Sequence, residues 1–425
     1  MKHIKTILIL LLLPLSALAQ TMTLDECQKL AQENYPLIRQ YDLVRLSTDY
    51  NVSNIAKGWL PQISAVAQAT YQSDVMALPD PLRDVLSQRG FGMRGLRRDQ
   101  YRVGIDLSQT VYDGGAISGQ KSVARIEGEV QTAQAATDMY AVRQRINDLY
   151  FGILLLDEKI KLNQDLQTLL QSSLGKLTAM LSHGTAMLCD VNTLRAEKLR
   201  AEQQSVELSS SRKSLTDMLS VFIGKKVTSL EQPQDITVTT QGNNRPELYL
   251  FNSQIELANA QESLLSSRLL PKLSLFAQGF YGYPGYNQFE AMMSRDWKLG
   301  GMAGVRLSWN IGALYTRKND KAQLTARRGL IETARETFLF NSRLTEIQHA
   351  GGIEKYRKMI EGDKEIVRLR QDVRTAAESK LDHGIIDTDN LLQEITRENQ
   401  SRIDLATHTI LMLQESYNLK YTKNN

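Results

Sequence analysis

Residues 101–115 read YRVGIDLSQTVYDGG, and this stretch decides the fold. Val103, Ile105 and Leu107 alternate with polar residues such as Asp106, so apolar and polar side chains fall on opposite faces of an extended strand. Roughly ten residues is also the length of a tilted strand that crosses a bilayer. The stretch predicts a membrane-spanning strand or, as the alternative, a half-buried strand of a soluble sheet.

The N-terminus has the three parts of a secretory signal peptide. Lys2 and Lys5 form a charged region, an apolar run follows at 7–13, and Ala-Leu-Ala at 17–19 is a cleavage motif. The apolar run is too short to span a membrane easily. We predict that residues 1–19 are removed on export.

Charge and hydropathy narrow the class of protein. The formal net charge is +4, and loss of Lys2 and Lys5 would lower it to +2, which is no signature of nucleic-acid binding. The sequence has no later run of about eighteen apolar residues, so no transmembrane helix is expected. Cys27 and Cys189 are expected to be free thiols, because the long helices predicted below hold them far apart.

Long helical stretches surround the strands. A capping box of Thr23 and Glu26 opens a predicted helix over 23–57. Residues 115–181 form another, with an apolar seam spaced alternately three and four apart. That seam consists of Met139, Val142, Ile146, Leu149, Ile153, Leu156 and Ile160. A short turn and a heptad-patterned helix over 188–222 follow, which predicts an antiparallel coiled-coil hairpin.

The second half of the chain repeats the first. LPKLS at 270–274 repeats LPQIS at 60–64 with an offset of 210, and GVRLS at 304–308 repeats GIDLS at 104–108 with an offset of 200. The His-Gly pair at 383–384 also follows that at 183–184 by 200. Three matches in one element order indicate a doubled unit of helix, strand, loop, strand, long helix, turn and helix.

These patterns predict four segments and a fold class. Residues 1–19 are the signal peptide, 20–222 the first repeat, 223–244 a polar connector and 245–425 the second repeat. The fold is mainly α with a small β part. Four strands cannot close a barrel, and open sheet edges are excluded from lipid. Several chains would therefore share one barrel, and helices of about 100 Å would continue it as a tunnel.

Four features occur together in this doubled layout: MTLDEC at 22–27, the Leu-Pro strand starts, YDGG at 112–115 and the two turns. With these features, the sequence resembles the TolC-type outer-membrane efflux protein family over its mature length. The resemblance implies a homotrimer with a twelve-stranded outer-membrane barrel and a helical periplasmic tunnel. It also implies docking to a periplasmic adaptor (membrane-fusion) protein and an inner-membrane pump. One departure is NIG at 310–312, which replaces YDGG.

The two turns are candidates for the closed periplasmic entrance and the adaptor's docking surface. Alternatively, each glycine only supplies a turn and each aspartate only caps a helix. The histidines lack the spacing of metal ligands, so they are read as surface residues. The candidate tip residues are His183, Gly184, Asp190, His383, Gly384 and Asp389.

The predicted strands carry two further candidate sets. Asp106 and Arg306, at matching positions of the repeats, are expected to face the barrel lumen. Aromatic residues near the strand ends are expected to form girdles against outer-membrane lipid, with ordinary packing as the alternative. The girdle candidates are Trp59, Tyr71, Tyr101, Tyr112, Tyr281, Trp297 and Trp309.

The chemistry-bearing motifs of enzymes are missing from the sequence. It has no phosphate-binding loop after a strand, no His-Glu-x-x-His and no Cys-His nucleophile pair. We therefore expect a passive export channel without cofactor or metal, which takes its energy from a partner. The alternative is a periplasmic adaptor, which should carry compact β domains beside a single hairpin. Five arginines in the loop over 73–100 either bind anionic lipopolysaccharide or are simply solvated.

Overall fold

The computed structural model describes residues 21–236 and 242–424, so the predicted signal peptide lies outside the described residues. Nine α-helices, one short 3-10 helix at Lys57–Trp59 and four strands are found there. The helices are α1 Leu24–Asn34, α2 Ile38–Ala56, α3 Asp80–Gln88, α4 Ala116–Ser182, α5 Leu188–Ile223, α6 Pro246–Ser267, α7 Gln288–Met293, α8 Ala313–Asp382 and α9 Thr388–Lys423. The strands are β1 Gln62–Tyr71, β2 Asp99–Tyr112, β3 Lys272–Tyr283 and β4 Lys298–Ser308.

The predicted fold class is confirmed as mainly α with a small β part. The same order of strand, short helix, strand, long helix, turn and long helix occurs twice along the chain. At about 1.5 Å per residue, α4 and α8 are each roughly 100 Å long. α4 begins a few residues after β2 ends, and α8 begins a few residues after β4 ends. These two helices are therefore directly connected to the strands.

The four strands form one antiparallel sheet in the order β1-β2-β3-β4. Their register places Asp106 between Ser64 of β1 and Gln278 of β3. A bulge between Thr110 and Tyr112 shifts the register of β2, so that Tyr112 pairs with Leu273. Successive side chains therefore alternate cleanly between two faces over most of each strand.

The chain divides into two compact units, each built from both repeats. The first takes in the described residues of 21–40, 135–248 and 336–424. The second takes in Tyr41–Gln134 and Tyr249–Arg335, including the whole sheet.

The helical core of the first unit follows the predicted seam. Met139, Val142, Ile146 and Ile153 are buried on α4. The spacing of seven that predicted the heptad pattern of α5 runs from Met187 through Leu194 and Ala201. Leu194 and Ala201 are buried, whereas Met187 is exposed. Met187 lies before the first residue of α5, which explains why it leaves the seam.

Three local features differ from the sequence-based expectation. The capping box of Thr23 and Glu26 is confirmed, but the helix over 23–57 is broken between α1 and α2. The cause is Pro36, which lacks an N–H and holds Tyr35 in an extended conformation. The two expected loops also contain the short helices α3 and α7.

Candidate functional site

The sheet has one apolar face, formed by the odd-numbered residues of its four strands. Isoleucine, leucine, valine, alanine and tyrosine dominate it. Most of its side chains remain exposed: Ile63 is 69 %, Leu299 84 % and Val305 62 % accessible, whereas Tyr283 at the end of β3 is buried. Within the strands, Asp99 is the only charged residue on this face, and it forms an ion pair with Arg97. An apolar surface this continuous is typical of a face that meets another apolar phase.

The even-numbered residues form the opposite, polar face. Glutamine, serine, threonine and glycine make up most of this face, together with a few apolar side chains, which are Val66, Phe276, Phe280 and Met302. Its charged residues are Arg102, Asp106, Lys272, Lys298 and Arg306. Asp106 and Arg306 both lie on this face. Asp106 is half-buried and Arg306 is exposed. The register separates them: Asp106 lies level with Gln278 and Met302, whereas Arg306 lies level with Ser274.

Aromatic residues gather at the loop end of the apolar face. The rings of Tyr101 and Trp297 are stacked with centroids 6.2 Å apart. The ring of Tyr281 lies 5.3 Å from that of Trp297 in a tilted arrangement. Tyr71, at the end of β1, is exposed on the same face.

A second aromatic group lies at the helix end of the sheet. Trp59, Tyr112 and Trp309 are all partly exposed there, and the indole N–H of Trp309 donates to the carbonyl of Leu269 at 2.9 Å. The bulge in β2 brings Tyr112 onto the apolar face beside Leu273. The eleven or twelve residues between the two groups correspond to about 36–40 Å along a strand. A tilt of about 40° reduces this to roughly 28–30 Å, close to the apolar band of an outer-membrane strand.

The exit of β2 into α4 is fixed by Asp113. Its carboxylate is buried and accepts hydrogen bonds from the backbone N–H groups of Gly115 and Ile117. Gly114 and Gly115 have φ angles of 68° and 85°, a left-handed region that glycine adopts without strain. Both exits share one backbone bond: the carbonyl of Asp113 accepts from the N–H of Ala116, and that of Asn310 accepts from the N–H of Ala313. The carboxylate bonds of Asp113 and the two left-handed glycines distinguish the exit of β2.

The two His-Gly turns between the long helices have the same geometry. Gly184 and Gly384 have φ angles of 74° and 69°, and their N–H groups donate to the carbonyls of Leu181 and Leu381. These bonds satisfy carbonyls at the ends of α4 and α8. His183 and His383 are exposed on the turns.

The aspartates after these turns differ in their roles. Asp190, in the first turn of α5, accepts a hydrogen bond from the N–H of Met187 at 2.9 Å. At α9, the N-cap is Asp387, which accepts from the N–H of Asn390 at 2.8 Å. The expectation that Asp389 caps α9 was therefore wrong. With an offset of 200, Asp190 matches Asn390, and Asp389 has no acidic counterpart in the first repeat.

The helices beside the two turns share one hydrophobic core. Leu177 of α4, Leu194 of α5, Leu381 of α8 and Ile395 of α9 belong to the same buried cluster. A polar network lies on the α8 and α9 side, where buried Glu398 pairs with Arg374 and Arg402. The two turns are therefore held together as one feature of the first unit.

Sequence reasoning missed an aromatic cluster around Arg245 in the first unit. The guanidinium lies 4.9 Å from the ring centroid of Tyr140 and 5.0 Å from that of Tyr421, and it pairs with Glu247. Burial raises the pKa of Tyr140 well above its ordinary value. These residues are distant in sequence, and no local pattern signals their contact.

The cysteines are free, as expected. Cys189 is exposed, whereas Cys27 is fully buried. Burial, reinforced by the charge of Glu26, raises the pKa of the Cys27 thiol to about 12. Cys27 is therefore a poor nucleophile at neutral pH, because the thiolate is the reactive form.

Two of the five loop arginines are neutralised locally. Arg83 pairs with Asp80 and Arg97 with Asp99. Elsewhere in the described chain, no group of three or more His, Cys, Asp and Glu residues has an arrangement that could hold a metal ion. No described helix has the length and hydropathy needed to span a membrane.

Comparisons with known proteins agree with this geometry. The model of the outer membrane efflux protein family matches residues 28–224. No curated protein matches the chain in sequence.

Several solved channels have the same fold. CusC shares 11 % identity with a TM-score of 0.70, covering 94 % of this chain and 91 % of CusC. VceC from Vibrio cholerae shares 12 % identity with a TM-score of 0.66, covering 94 % of each chain. The open state of MtrE from Neisseria gonorrhoeae shares 13 % identity with a TM-score of 0.65, covering 95 % of this chain and 89 % of MtrE. At such low identities the likeness establishes the fold.

Proposed function

Since the model of the outer membrane efflux protein family matches residues 28–224, we propose that this chain belongs to that family and is the outer-membrane channel of an efflux system. It conducts substrates passively from the periplasm to the exterior. The family and the fold are those of passive channels rather than enzymes or adaptors. A periplasmic adaptor would need one coiled-coil hairpin, whereas this chain has two.

The observation that carries the proposal is the two-faced sheet. Its apolar face is mostly exposed, and its polar face holds every charged strand residue except Asp99. In an outer-membrane strand wall, apolar residues meet lipid and polar residues line a wet interior. Asp106 and Arg306 would then line the duct, and the aromatic groups containing Trp297 and Trp309 would form the two interfacial girdles.

The edges of the sheet favour a homotrimer. β1 and β4 are its outer strands, so each has one edge without a neighbouring strand in the sheet. Such edges need partners in lipid, because backbone groups there find no water. β1 and β4 run in opposite directions, so β4 of one copy can pair antiparallel with β1 of the next. Three copies give twelve strands, within the size range of outer-membrane barrels.

Exposed apolar side chains on α8 also favour association with further copies. Phe340, Leu344 and Ile347 lie on one helical stripe, and each is more than half exposed. Spacings of four and three put them on the same face of the helix. A second copy of this chain would bury that stripe, as expected if the helices of three chains close a tunnel.

The turns at 183–184 and 383–384 are proposed as the periplasmic tip. Their shared core makes a firm surface for a periplasmic adaptor, which would link the channel to an energised inner-membrane pump. Asp190 and Asp389 would each be repeated three times around the entrance. The proposal keeps the predicted domain boundaries. They are a signal peptide at 1–19, repeats at 20–222 and 245–425, and a connector at 223–244.

The mass of the protein in detergent tests the assembly. Outer-membrane fractions should yield a trimer that migrates at a higher apparent mass before heating and dissociates to the faster-migrating monomer after it. A stable monomer, or a protein released with the periplasm or the inner membrane, would contradict the shared barrel.

Conductance tests transport separately. The purified trimer should produce stepwise currents in planar bilayers. A correctly assembled trimer that never conducts would rule out the channel while leaving the fold intact.

A further inference from the structure

Two arginines on the polar face of the sheet lie over phenylalanine rings. The guanidinium carbon of Arg102 is 3.9 Å from the ring centroid of Phe280. That of Arg306 is 4.9 Å from the ring centroid of Phe276. Both phenylalanines belong to β3, and the arginines come from the strands on either side of it. Such stacking restrains a guanidinium without consuming its hydrogen-bond donors.

Glycines on β4 give the rings room to lie against the sheet. A Cβ atom at Gly300 would lie 2.7 Å from the ring of Phe280, and one at Gly304 would lie 3.0 Å from the ring of Phe276. Phe280 is also buried and packs edge-on against Tyr286. The rings therefore cover the glycines and form a fixed support under each arginine.

The arginines are not neutralised by neighbouring acids. Lys298 on the same face is paired with Glu290 at 2.8 Å, whereas Arg102 and Arg306 take part in none of the ion pairs found in the described chain. Asp106 is the only carboxylate on the polar face of the four strands. Asp106 lies four residues from Arg102 along β2. It pairs with Gln278 of β3, whereas Arg306 pairs with Ser274, four residues away along the same strand.

Four residues correspond to about 13 Å along a strand. That exceeds the screening length of about 8 Å at physiological ionic strength. Asp106 therefore does not cancel the field of either arginine in a water-filled interior. The polar face therefore keeps an excess of positive charge. Each copy of the chain in the proposed trimer would contribute the same excess.

An open cavity of about 310 Å³ lies beside Arg102. Amide side chains line one part of it, including Gln68 and Gln100, and the rings of Phe280 and Tyr286 line another. The guanidinium of Arg102, the amides and the aromatic rings together suit an organic anion. The charged and amide groups can donate hydrogen bonds, and the rings can contact an apolar part.

Resting on the proposed channel function, we propose that Arg102 and Arg306 are specificity-determining residues that make the duct wall prefer anions. The substrates would be solutes that carry a carboxylate, sulfonate or phosphate group. Rings of arginine or lysine select anions in other pores by the same electrostatic means.

Reversal potentials in a KCl gradient across planar bilayers test this proposal. In the double variant R102Q/R306Q, the ratio of chloride to potassium permeability should fall by at least about twofold, because two rings of three charges are lost. The charge-preserving variant R102K/R306K should keep more of the wild-type ratio than the glutamine variant does. Asp106→Asn should shift the ratio the other way.

An unchanged ratio in a conducting, trimeric R102Q/R306Q variant would overturn the proposal and leave the channel function standing. If no variant conducts, the wild type included, the channel function fails and this proposal fails with it. If the double variant does not assemble, the exposed Arg306 is tested alone as R306Q, with the same criterion.

Discussion

The two faces of the sheet alternate residue by residue along the same strands, yet they bear opposite chemistry. The apolar face has one charged residue, Asp99, at its loop end, and the polar face has Arg102, Asp106 and Arg306 in its interior. In a globular domain, the apolar face would be packed under a second layer. Here it remains exposed, with aromatic residues at both ends. The proposed channel accounts for this difference, since its strand wall would have lipid on the apolar face and water on the polar face.

Placing a charge on the apolar face should have the largest effect. Val305→Arg puts a cation where lipid is expected, at a cost of about 2–4 kcal/mol near the bilayer midplane. The matched control is Gln278→Arg on the polar face, where water can solvate the charge. V305R should reduce the amount of heat-modifiable trimer in outer-membrane fractions, whereas Q278R should not. Equal loss in both variants would contradict the assignment of the faces.

Larger side chains at two adjacent glycines, one on each face, should differ in their effect on stability. Gly300→Val on the polar face meets the ring of Phe280, and such overpacking costs about 1–3 kcal/mol. Gly301→Val on the apolar face meets only a backbone oxygen, 3.6 Å from the added Cβ. Unfolding in urea, followed by gel migration, should show a lower midpoint for G300V alone. A larger loss for G301V would mean that the apolar face is the crowded one.

The girdle interpretation can be tested at Trp297. Trp297→Ala removes the stacked contact with Tyr101 and the tilted contact with Tyr281, each worth about 0.5–1.5 kcal/mol. If the indole also lies at a membrane boundary, the loss should be greater in liposomes than in detergent micelles. Urea titrations in both media measure the difference. The same loss in each would favour ordinary packing at a strand end.

The smallest effect on stability is expected at the turns, outside the sheet. Asp190→Ala removes a capping bond worth about 0.5–1 kcal/mol. If Asp190 also helps to close the entrance, single-channel conductance should rise in this variant. Asn390→Ala, at the matching position of the second repeat, is the control. Unchanged conductance and ion selectivity in D190A would leave the polar face of the sheet as the place where ions are discriminated.

Periodicity in the sequence predicted much of the fold. Strand alternation, the α4 seam and the offset of 200 each depend on spacing along the chain. For the same reason, the two turns between the long helices were placed correctly at Gly184 and Gly384. The helix α3 was missed although Pro81 in its first turn is a typical start signal. The capping role of Asp387 was missed because Asp389 was matched to Asp190. The offset of 200 instead matches Asp190 to Asn390, one residue further on.

Contacts between distant residues could not be predicted in the same way. The stacking of Arg102 on Phe280 depends on the register of β2 with β3, which joins residues in different repeats. The cluster around Arg245 likewise joins Tyr140 to Tyr421. Neither spacing nor composition encodes such pairs, because many registers satisfy the same alternation.

Thiol labelling of the reconstituted trimer tests the orientation of the sheet most directly. Cysteines are introduced singly at Ala277, Gln278, Leu107 and Ser108 in a Cys189→Ser background. Cys27 is retained because it is buried and its pKa is raised to about 12. A membrane-impermeant thiol reagent should label positions 278 and 108 and spare positions 277 and 107. Equal labelling of both sets, or preferential labelling at 277 and 107, would contradict a sheet whose apolar face meets lipid.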